Sequence, residues 1–519
     1  MDIKVPQLLK TKILVLLIML FSILIRIPYF DCPLCPDESG FAYQAYFWLN
    51  DVNPYRSSFF IYFPGFPLLY AFIFKTLGIN PLNIRLFLAF WNAITVLFIY
   101  LTAKKLFSEK IALLSSFYYA CFSWLPLIKG YMGKEIFMLL PLSLSLYFYF
   151  LYRDCFHKLP LFLAAFFAGL AVVFKQSALP PWGCFLIFIY LESPSKFKHI
   201  FIFLLGASLP IIASATYGCI SLGIKSFFYN IIFCPAGTFS IFSGYWWYHF
   251  LRFLYSLNKT GIIFWLIALI LGQKFIKREF AWYFLISYLL FSFLGVALGG
   301  HWFDHYYAQL LPSLCILLGW TSVKIWQFKR KTYISINLIL LIFPFFIYIL
   351  VSLHYHRLCN FSNGWDLSQK IASYLYKNSD KTDKIYAFLY NDPTIYFLAK
   401  RKSAFPYLFR HEILYFPENI MQFMEFIRSD KAPKYLIAYS EEKSLKFAIR
   451  YCKIPKGFIN KIKKCFSVNF RPFCKNYPVQ IFLIKKVFKL IPKYYSPVKI
   501  IFANGSSVVI WKRKQKQNS

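Results

Sequence analysis

Two neighbouring stretches decide the fold: the apolar run ILVLLIMLFSILIRI at Ile13–Ile27 and, soon after it, Pro36-Asp37-Glu38-Ser39-Gly40-Phe41-Ala42-Tyr43. The apolar run approaches the roughly 20 residues that a transmembrane helix needs. The second stretch therefore places two adjacent carboxylates just past the membrane face. Ionised groups at that depth are costly unless they bind or react, so the pair is a candidate functional site. The two acids also suit the N-terminal cap of a short helix starting at Ser39, and the two roles are compatible.

The rest of the chain has the composition of a polytopic helical membrane protein. Of its 519 residues 59% are hydrophobic and 22% aromatic, and its mean hydropathy is +0.52. Apolar runs of near-bilayer length recur along the first two thirds. They predict eleven transmembrane helices, at 12–30, 84–103, 111–128, 135–152, 159–174, 178–191, 199–217, 260–276, 280–298, 306–323 and 333–353.

The distribution of Lys and Arg predicts the orientation. If the N-terminus is inside, every short inner loop is basic, as in the groups Lys104, Lys105 and Lys110 or Lys274, Lys277 and Arg278. The longer outer loops carry fewer cations. This orientation puts Asp37 and Glu38 outside, facing the periplasm or exterior of a multi-pass protein in the inner (plasma) membrane.

The chain divides into a membrane domain at 1–356 and a soluble domain at 357–519. The segment DLSQKIASYLYK at 366–377 has helical spacing, whereas 384–390 and 435–439 are short apolar runs typical of strands. This alternation predicts a small α/β domain. Because the eleventh span exits outward, we expect the domain on the same side as the acidic pair.

The formal charge of +37 raises the question of nucleic acid. The segment from Arg357 onward carries 31 Lys and Arg against 10 Asp and Glu. A basic domain held against anionic lipid headgroups explains this charge more economically than nucleic acid does, and a compositional bias toward Lys is a simpler cause. We therefore expect the lipid bilayer as a partner and no nucleic acid.

Two long outer segments interrupt the pattern of spans. The first, 31–83, reads as amphipathic and interfacial, with Tyr43, Tyr46 and Phe47 forming a short surface helix that would make a lid beside the acids. The second, 218–258, contains the aromatic cluster Phe242–His249 with a central glycine. That cluster is typical of an interfacial aromatic belt, and it would also suit a mobile loop that contacts sugar or lipid.

A set of motifs in fixed order resembles one family. The motifs are Asp37-Glu38 after the first span, Asn53-Pro54-Tyr55, Pro64–Tyr70, Leu77-Gly78, Arg85 opening the second span, Gly169-Leu170-Ala171 with Lys175, and His305-Tyr306-Tyr307 with Gln309 and Pro312. Their order and topology resemble the polyprenyl-phosphate-sugar-dependent glycosyltransferases of the GT-C class. Within that class the chain is similar to the branch of the protein O-mannosyltransferases and lipid A aminoarabinose transferases.

The resemblance implies a reaction and roles for particular residues. An inverting glycosyl transfer needs a base for the acceptor hydroxyl and cations for the departing lipid phosphate. By the family's Asp-Glu motif, Asp37 would be the base and Glu38 an acceptor-orienting or metal-binding partner. The implied substrate-binding residues, with the phosphate assigned to the two cations and His305, are Arg56, Glu135, Lys175, His305, Tyr306 and Gln309.

Metal dependence and the acceptor are left open by the sequence. Asp37, Glu38, His301 and His305, with Asp304 beside them, have side chains competent to bind a divalent cation, and some relatives bind metal while others do not. The implied donor is a single sugar on a polyprenyl phosphate, and the acceptor is a lipid, glycan or protein hydroxyl.

Two other classes of function compete with a transferase. A lipid-linked glycan transporter or flippase, or an O-antigen-type polymerase, would also be polytopic, but a transporter should show internal repeats and charged midplane helices, which are not evident. A membrane-anchored binding or assembly protein would not explain the acidic pair Asp37 and Glu38. The run Trp246-Trp247-Tyr248 lacks the Asp of the oligosaccharyltransferase WWD motif, which disfavours en bloc glycan transfer, and no soluble-nucleotide motif is present.

The predicted orientation can be tested at Ser429 in the C-terminal domain. In a background without other reactive cysteines, Ser429→Cys should react with a membrane-impermeant maleimide in cells whose inner membrane is intact. The reason is that an odd number of spans puts the domain outside. Labelling that appears only after permeabilisation of that membrane would place the domain inside and overturn the topology.

Overall fold

We describe a computed structural model of the 519-residue chain. The structure describes residues 7–31, 34–50, 53, 55, 58, 62–124, 133–233, 251, 279–298, 304–327, 365–390, 393–414, 417–452, 477–503 and 506–515. Statements below about structure concern these residues.

The first part of the chain is a bundle of helices. Their bounds are α1 Gln7–Leu24, α2 Pro36–Trp48, α3 Gly65–Leu77, α4 Pro81–Leu106, α5 Glu109–Phe122, α6 Lys134–Cys155, α7 Lys158–Phe174, α8 Pro181–Glu192, α9 Lys196–Leu222, α10 Ile224–Phe228, α11 Phe280–Leu298 and α12 Leu311–Gln327. Asn80 caps α4 through Leu82 N–H, and Ser108 caps α5 through Ile111 N–H. A short 3₁₀ helix, Asp304–Leu310, leads into α12.

Six described helical segments are long and apolar enough to cross a bilayer: Leu9–Tyr29, Pro81–Leu106, Lys134–Cys155, Lys196–Leu222, Phe280–Leu298 and His305–Trp326. Their outer faces are apolar. On α1, for example, Leu16 and Leu17 are more than half exposed, which suits contact with lipid tails rather than water. The inner faces pack closely: a Cβ on Gly169 of α7 would lie 2.0 Å from the Ala207 carbonyl oxygen of α9, the small-residue contact typical of membrane helices. The chain is therefore a helical, multi-pass membrane protein.

Nine of the eleven predicted spans coincide with described helices. The segments 260–276 and 333–353 lie outside the described residues, as does the aromatic cluster Phe242–His249. The helices α5 and α8, of 14 and 12 residues, are shorter than the predicted spans, so length alone does not identify them as crossing helices.

The expectation of a surface helix over the first outer segment was wrong in two respects. The helix begins at Pro36 instead of Ser39, and it is buried: Tyr43 and Ala45 are fully covered by protein. A second helix, α3, follows at Gly65–Leu77 and was not predicted. Each helix has only 13 residues, fewer than a helix needs to span a bilayer.

The C-terminal part forms a second unit of helices and strands. Its elements are α13 Trp365–Asn378, β1 Ile385–Phe388, α14 Thr394–Ala399, α15 Arg410–Leu414, α16 Pro417–Arg428, β2 Tyr435–Tyr439, α17 Glu441–Cys452, α18 Tyr477–Tyr494, β3 Tyr495–Ala503 and β4 Ser506–Arg513. The four strands make one sheet in the order β1-β2-β4-β3, with β1 and β2 parallel and the other pairs antiparallel. The helix at 366–377 and the strands at 384–390 and 435–439 were predicted correctly, whereas the β3–β4 hairpin was missed.

The two faces of this sheet have different neighbours, because strand side chains alternate between faces. Tyr386, Phe388 and Leu436 point to one side and pack with residues of α16 and α18. Ile385 and Ala387 point to the other side and belong to the same buried cluster as residues of α2 and α3. One continuous core therefore joins the C-terminal unit to the helical bundle.

Candidate active site

A pocket lies where the first turn of α2, the first turn of α6 and the 3₁₀ helix Asp304–Leu310 meet. It is lined by Cys35, Asp37, Glu38, Phe41, Gly133, Lys134, Glu135 and His305. Four of these, Asp37, Glu38, Glu135 and His305, were predicted as site residues, although they lie far apart in sequence. The fold thus gathers most of the predicted outer acids and the histidine at one place.

Local sequence explains why two helices begin at this pocket. Pro36 occupies the first position of α2, where its missing N–H costs nothing. The Glu38 carboxylate then reaches back and accepts a hydrogen bond from Cys35 N–H at 3.0 Å. Before α6 the chain turns at Gly133, whose φ of 98° is strained for any other residue. Both turns set acidic or basic side chains at the pocket wall.

Glu38 is held by Arg85 of α4. The two guanidinium nitrogens Nη1 and Nη2 donate to the two carboxylate oxygens at 2.5 and 2.8 Å. Both side chains are almost completely buried, at 2% and 1% exposure. This planar, two-point contact is the strongest form of ion pair between side chains. Glu38 therefore fastens the first turn of α2 to the start of α4.

Asp37, by contrast, is exposed at the pocket. Its charge interacts with those of Lys134 and Lys175, and with Glu412 of the C-terminal unit. The two adjacent acids thus differ in environment, because Glu38 is engaged in a buried ion pair and Asp37 is exposed. Of these two acids, Asp37 is the one that is exposed at the pocket.

A second charged cluster adjoins the pocket and shares Glu135 and His305 with its lining. Lys175, at the end of α7, donates to Glu135 Oε1 at 2.8 Å, and His305 Nε2 lies 3.8 Å from the same oxygen. The Lys175 ammonium group also stands 3.2 Å from the centre of the Tyr306 ring. Glu135 and Lys175 are buried. The cluster ties the start of α6, the end of α7 and the 3₁₀ helix together.

Lys134 lines the pocket beside Glu135 and was not predicted as a site residue. Its ammonium group lies 3.4 Å from the centre of the Tyr62 ring and 5.7 Å from that of Phe41. This aromatic support holds the cation at the pocket wall near Asp37 without an opposing carboxylate at salt-bridge distance among the described residues. The sequence indicates this role of Lys134 only through its position between Gly133 and Glu135 at the start of a predicted span.

The other predicted site residues have different surroundings. Gln309 does not line the pocket; its amide accepts from Ser177 Oγ at 2.9 Å and donates to Ser177 O at 2.8 Å. Tyr306 does not line the pocket; its ring contacts the Lys175 ammonium group and meets the His305 ring edge to face, with centroids 4.9 Å apart. Arg56 and His301 lie outside the described residues, as does the side chain of Asp304.

The suggested metal ligands do not form a metal site in the described part of the chain. No group of three or more His, Cys, Asp or Glu side chains there is arranged to hold an ion. Glu38 in particular is engaged through both oxygens by Arg85. A divalent ion bound by Glu38 would compete with that pair, and we derive no step through a metal.

The sequence matches the model of one protein family, described as dolichyl-phosphate-mannose-protein mannosyltransferase, over residues 63–220. The matched region runs from α3 to α9 and includes Arg85, Lys134, Glu135 and Lys175. A comparison with the curated proteins gives no match.

Several solved structures share the fold at low sequence identity. ArnT from Cupriavidus metallidurans bound to undecaprenyl phosphate is 10% identical, with a TM-score of 0.63, over 96% of this chain and 97% of that one. An Archaeoglobus fulgidus oligosaccharyltransferase tethered with an acceptor peptide is 12% identical, with a TM-score of 0.57, over 97% of this chain and 74% of that one.

A further structure of the archaeal enzyme, AglB with an inhibitory peptide and a dolichol-phosphate, has a TM-score of 0.54 at 12% identity, over 98% of this chain and 75% of that one. At these identities the likeness establishes the fold. Taken with the family match, it indicates a glycosyltransferase of the GT-C class.

The different environments of the two acids predict different effects on stability. Glu38→Gln should lower the unfolding temperature of the detergent-solubilised protein, because Arg85 would be left buried without its counter-charge, a loss of roughly 3–5 kcal/mol. Asp37→Asn should leave the unfolding temperature unchanged. Equal unfolding temperatures for the wild type and Glu38→Gln would contradict the structural role of the pair.

Proposed function

We propose that this GT-C-fold glycosyltransferase moves a single sugar from a polyprenyl-phosphate donor to an acceptor hydroxyl, with inversion, and that Asp37 is the general base. The observation that carries the proposal is the exposed Asp37 carboxylate in a pocket that also presents Lys134, while its neighbour Glu38 is consumed by Arg85. The binding of undecaprenyl phosphate by ArnT and of dolichol-phosphate by AglB supports a lipid-linked donor.

The chemistry follows from the residue types. The acceptor oxygen attacks the anomeric carbon of the sugar and passes its proton to Asp37. The bond between the anomeric carbon and the phosphate oxygen breaks, and its electron pair leaves with the phosphate. A cation beside that oxygen stabilises the charge as it develops. Attack from the face opposite the phosphate inverts the configuration at the anomeric carbon.

We assign the phosphate contact chiefly to Lys134 and His305, both of which line the pocket. Lys175 is paired with Glu135 at 2.8 Å and stands behind the wall, so it supports the phosphate site through that carboxylate. This assignment differs from the sequence-based expectation, in which Lys175 and Arg56 contact the phosphate directly.

The proposal includes the topology. We propose eleven spans, a membrane domain at 1–356 and an α/β domain at 357–519 on the outer side of the plasma membrane. The basic inner loops support this orientation. An outer site also suits a lipid-linked donor, because sugar nucleotides are normally confined to the cytoplasm.

The role of Asp37 is tested by an isosteric change. Asp37→Asn keeps the size of the side chain but does not accept a proton at neutral pH, so transfer from a defined polyprenyl-phosphate sugar should fall roughly 10²–10⁴-fold. Asp31→Asn is the matched control, since Asp31 is exposed and does not line the pocket. Wild-type turnover by Asp37→Asn would remove Asp37 from the mechanism.

The role of Lys134 is tested through the donor. Lys134→Met should raise the KM for the polyprenyl-phosphate donor about 10–100-fold, the loss expected for one charge-assisted contact of roughly 1.5–3 kcal/mol, with a smaller effect on the acceptor KM. Lys158→Met is the control, because Lys158 is exposed at the N-terminal end of α7. An unchanged donor KM in Lys134→Met would refute the assignment.

A further inference from the structure

The C-terminal unit packs directly on α2, the helix that carries Asp37. Ser39 Oγ and Thr394 Oγ1 are hydrogen-bonded at 2.5 Å, and Ser403 N–H donates to Tyr43 Oη at 3.0 Å. The Tyr43 and Tyr396 rings meet edge to face with centroids 5.7 Å apart. The four side chains of Ser39, Thr394, Tyr43 and Tyr396 are fully buried. The contact therefore begins two residues after the proposed base.

Gly40 lies at a close approach between the two units. A Cβ built on Gly40 would lie 2.9 Å from Phe409 Cζ and 3.8 Å from Pro393 Cγ. The first distance is shorter than real Cβ contacts, so the Phe409 ring fills the space that any other residue would need at position 40. Gly40 lies in the helical turn that carries Asp37. A shift of Phe409 would therefore press on the turn that carries the base.

The loop that carries Phe409 is itself fixed. Glu412 is buried and accepts a hydrogen bond from Phe409 N–H at 3.0 Å, which caps α15. Burial raises the pKa of the Glu412 carboxyl to about 8, and the charge of Asp37 acts in the same direction. The cap holds the Phe409 backbone beside Gly40.

A second contact extends the same interface to α3. The rings of Phe397 and Phe74 are stacked, with centroids 5.8 Å apart and an interplanar angle of 11°. The C-terminal unit thus bridges α2 and α3, the two short helices of the first outer segment. Neither helix spans the bilayer, so their positions depend on such contacts.

We propose that residues 393–412 of the C-terminal unit are positioning residues for the reaction: Phe409 against Gly40, with the Thr394–Ser39 and Ser403–Tyr43 hydrogen bonds, sets the position of Asp37. The proposal rests on the proposed role of Asp37 as the base. Misplacement of a catalytic group by about 1 Å is enough to lower a rate on the order of 10²-fold. The C-terminal unit is then part of the active site without touching the substrate.

A clash-and-relief series tests the Phe409 contact. Gly40→Ala should lower kcat about tenfold or more, with the donor KM within about twofold of wild type, because the methyl group displaces the turn of Asp37. The double variant with Phe409→Leu removes the opposing ring atoms and should restore most of that kcat. Gly40→Ala with Phe482→Leu is the control, since Phe482 is exposed on α18. Full activity in Gly40→Ala, or equal rescue by both leucine substitutions, overturns the proposal.

Hydrogen–deuterium exchange on the same full-length variants separates this proposal from the proposed function. Gly40→Ala and Thr394→Val, which removes only one hydroxyl, should both speed amide exchange in residues 39–48, and Phe409→Leu should reverse the effect of Gly40→Ala. If exchange is unchanged in these variants, the proposal that residues 393–412 position α2 is overturned, even if Asp37→Asn is inactive. Faster exchange in the variants together with full activity of Asp37→Asn would support the contact between residues 393–412 and α2 as structural. It would overturn the proposal that this contact positions a catalytic base.

Discussion

The buried ion pair between Glu38 and Arg85 is the contact on which the site depends. Burying a carboxylate and a guanidinium is expensive unless each fully satisfies the other. Here the two terminal guanidinium nitrogens, Nη1 and Nη2, donate to the two carboxylate oxygens, and Cys35 N–H donates a third hydrogen bond. Removing either partner would leave a charge in an apolar surrounding. The Glu38–Arg85 pair therefore fixes the first turn of α2 against α4. Asp37 lies in the same turn, so the pair also fixes its position at the pocket.

This pair also gives the two adjacent acids, Asp37 and Glu38, different surroundings. Neighbouring residues in the first turn of a helix point in different directions, so one carboxylate turns into the bundle while the other faces the pocket. The buried acid needs a cation on another helix, and Arg85 supplies it. The exposed acid, Asp37, keeps its carboxylate at the pocket, as its proposed role as base requires. Sequence adjacency therefore does not mean that Asp37 and Glu38 share a function, as a metal-binding pair would require.

The sequence predicted the features that depend on local pattern and composition. Apolar runs gave nine helices close to their observed positions, and alternation gave β1 and β2. The misses have a common cause. The partner of Glu38 lies 47 residues away, the helix at Gly65–Leu77 is too short to read as a span, and the role of Lys134 depends on the ring of Tyr62. Periodicity and motif spacing carry no information on such contacts between distant segments.

The position of α2 is over-determined by two bodies that face it from different sides. The helical bundle holds its first turn through Arg85, and the C-terminal unit holds the following turn through Thr394, Ser403 and Phe409. A helix of 13 residues that does not cross the bilayer is marginal alone, and most of its stability comes from packing. Because residue 40 is glycine, no side chain separates α2 from the Phe409 ring at this position. The C-terminal unit therefore packs directly on the turn that carries Asp37. The C-terminal unit is joined to the bundle through one core, and in the proposed mechanism the position of Asp37 depends on both.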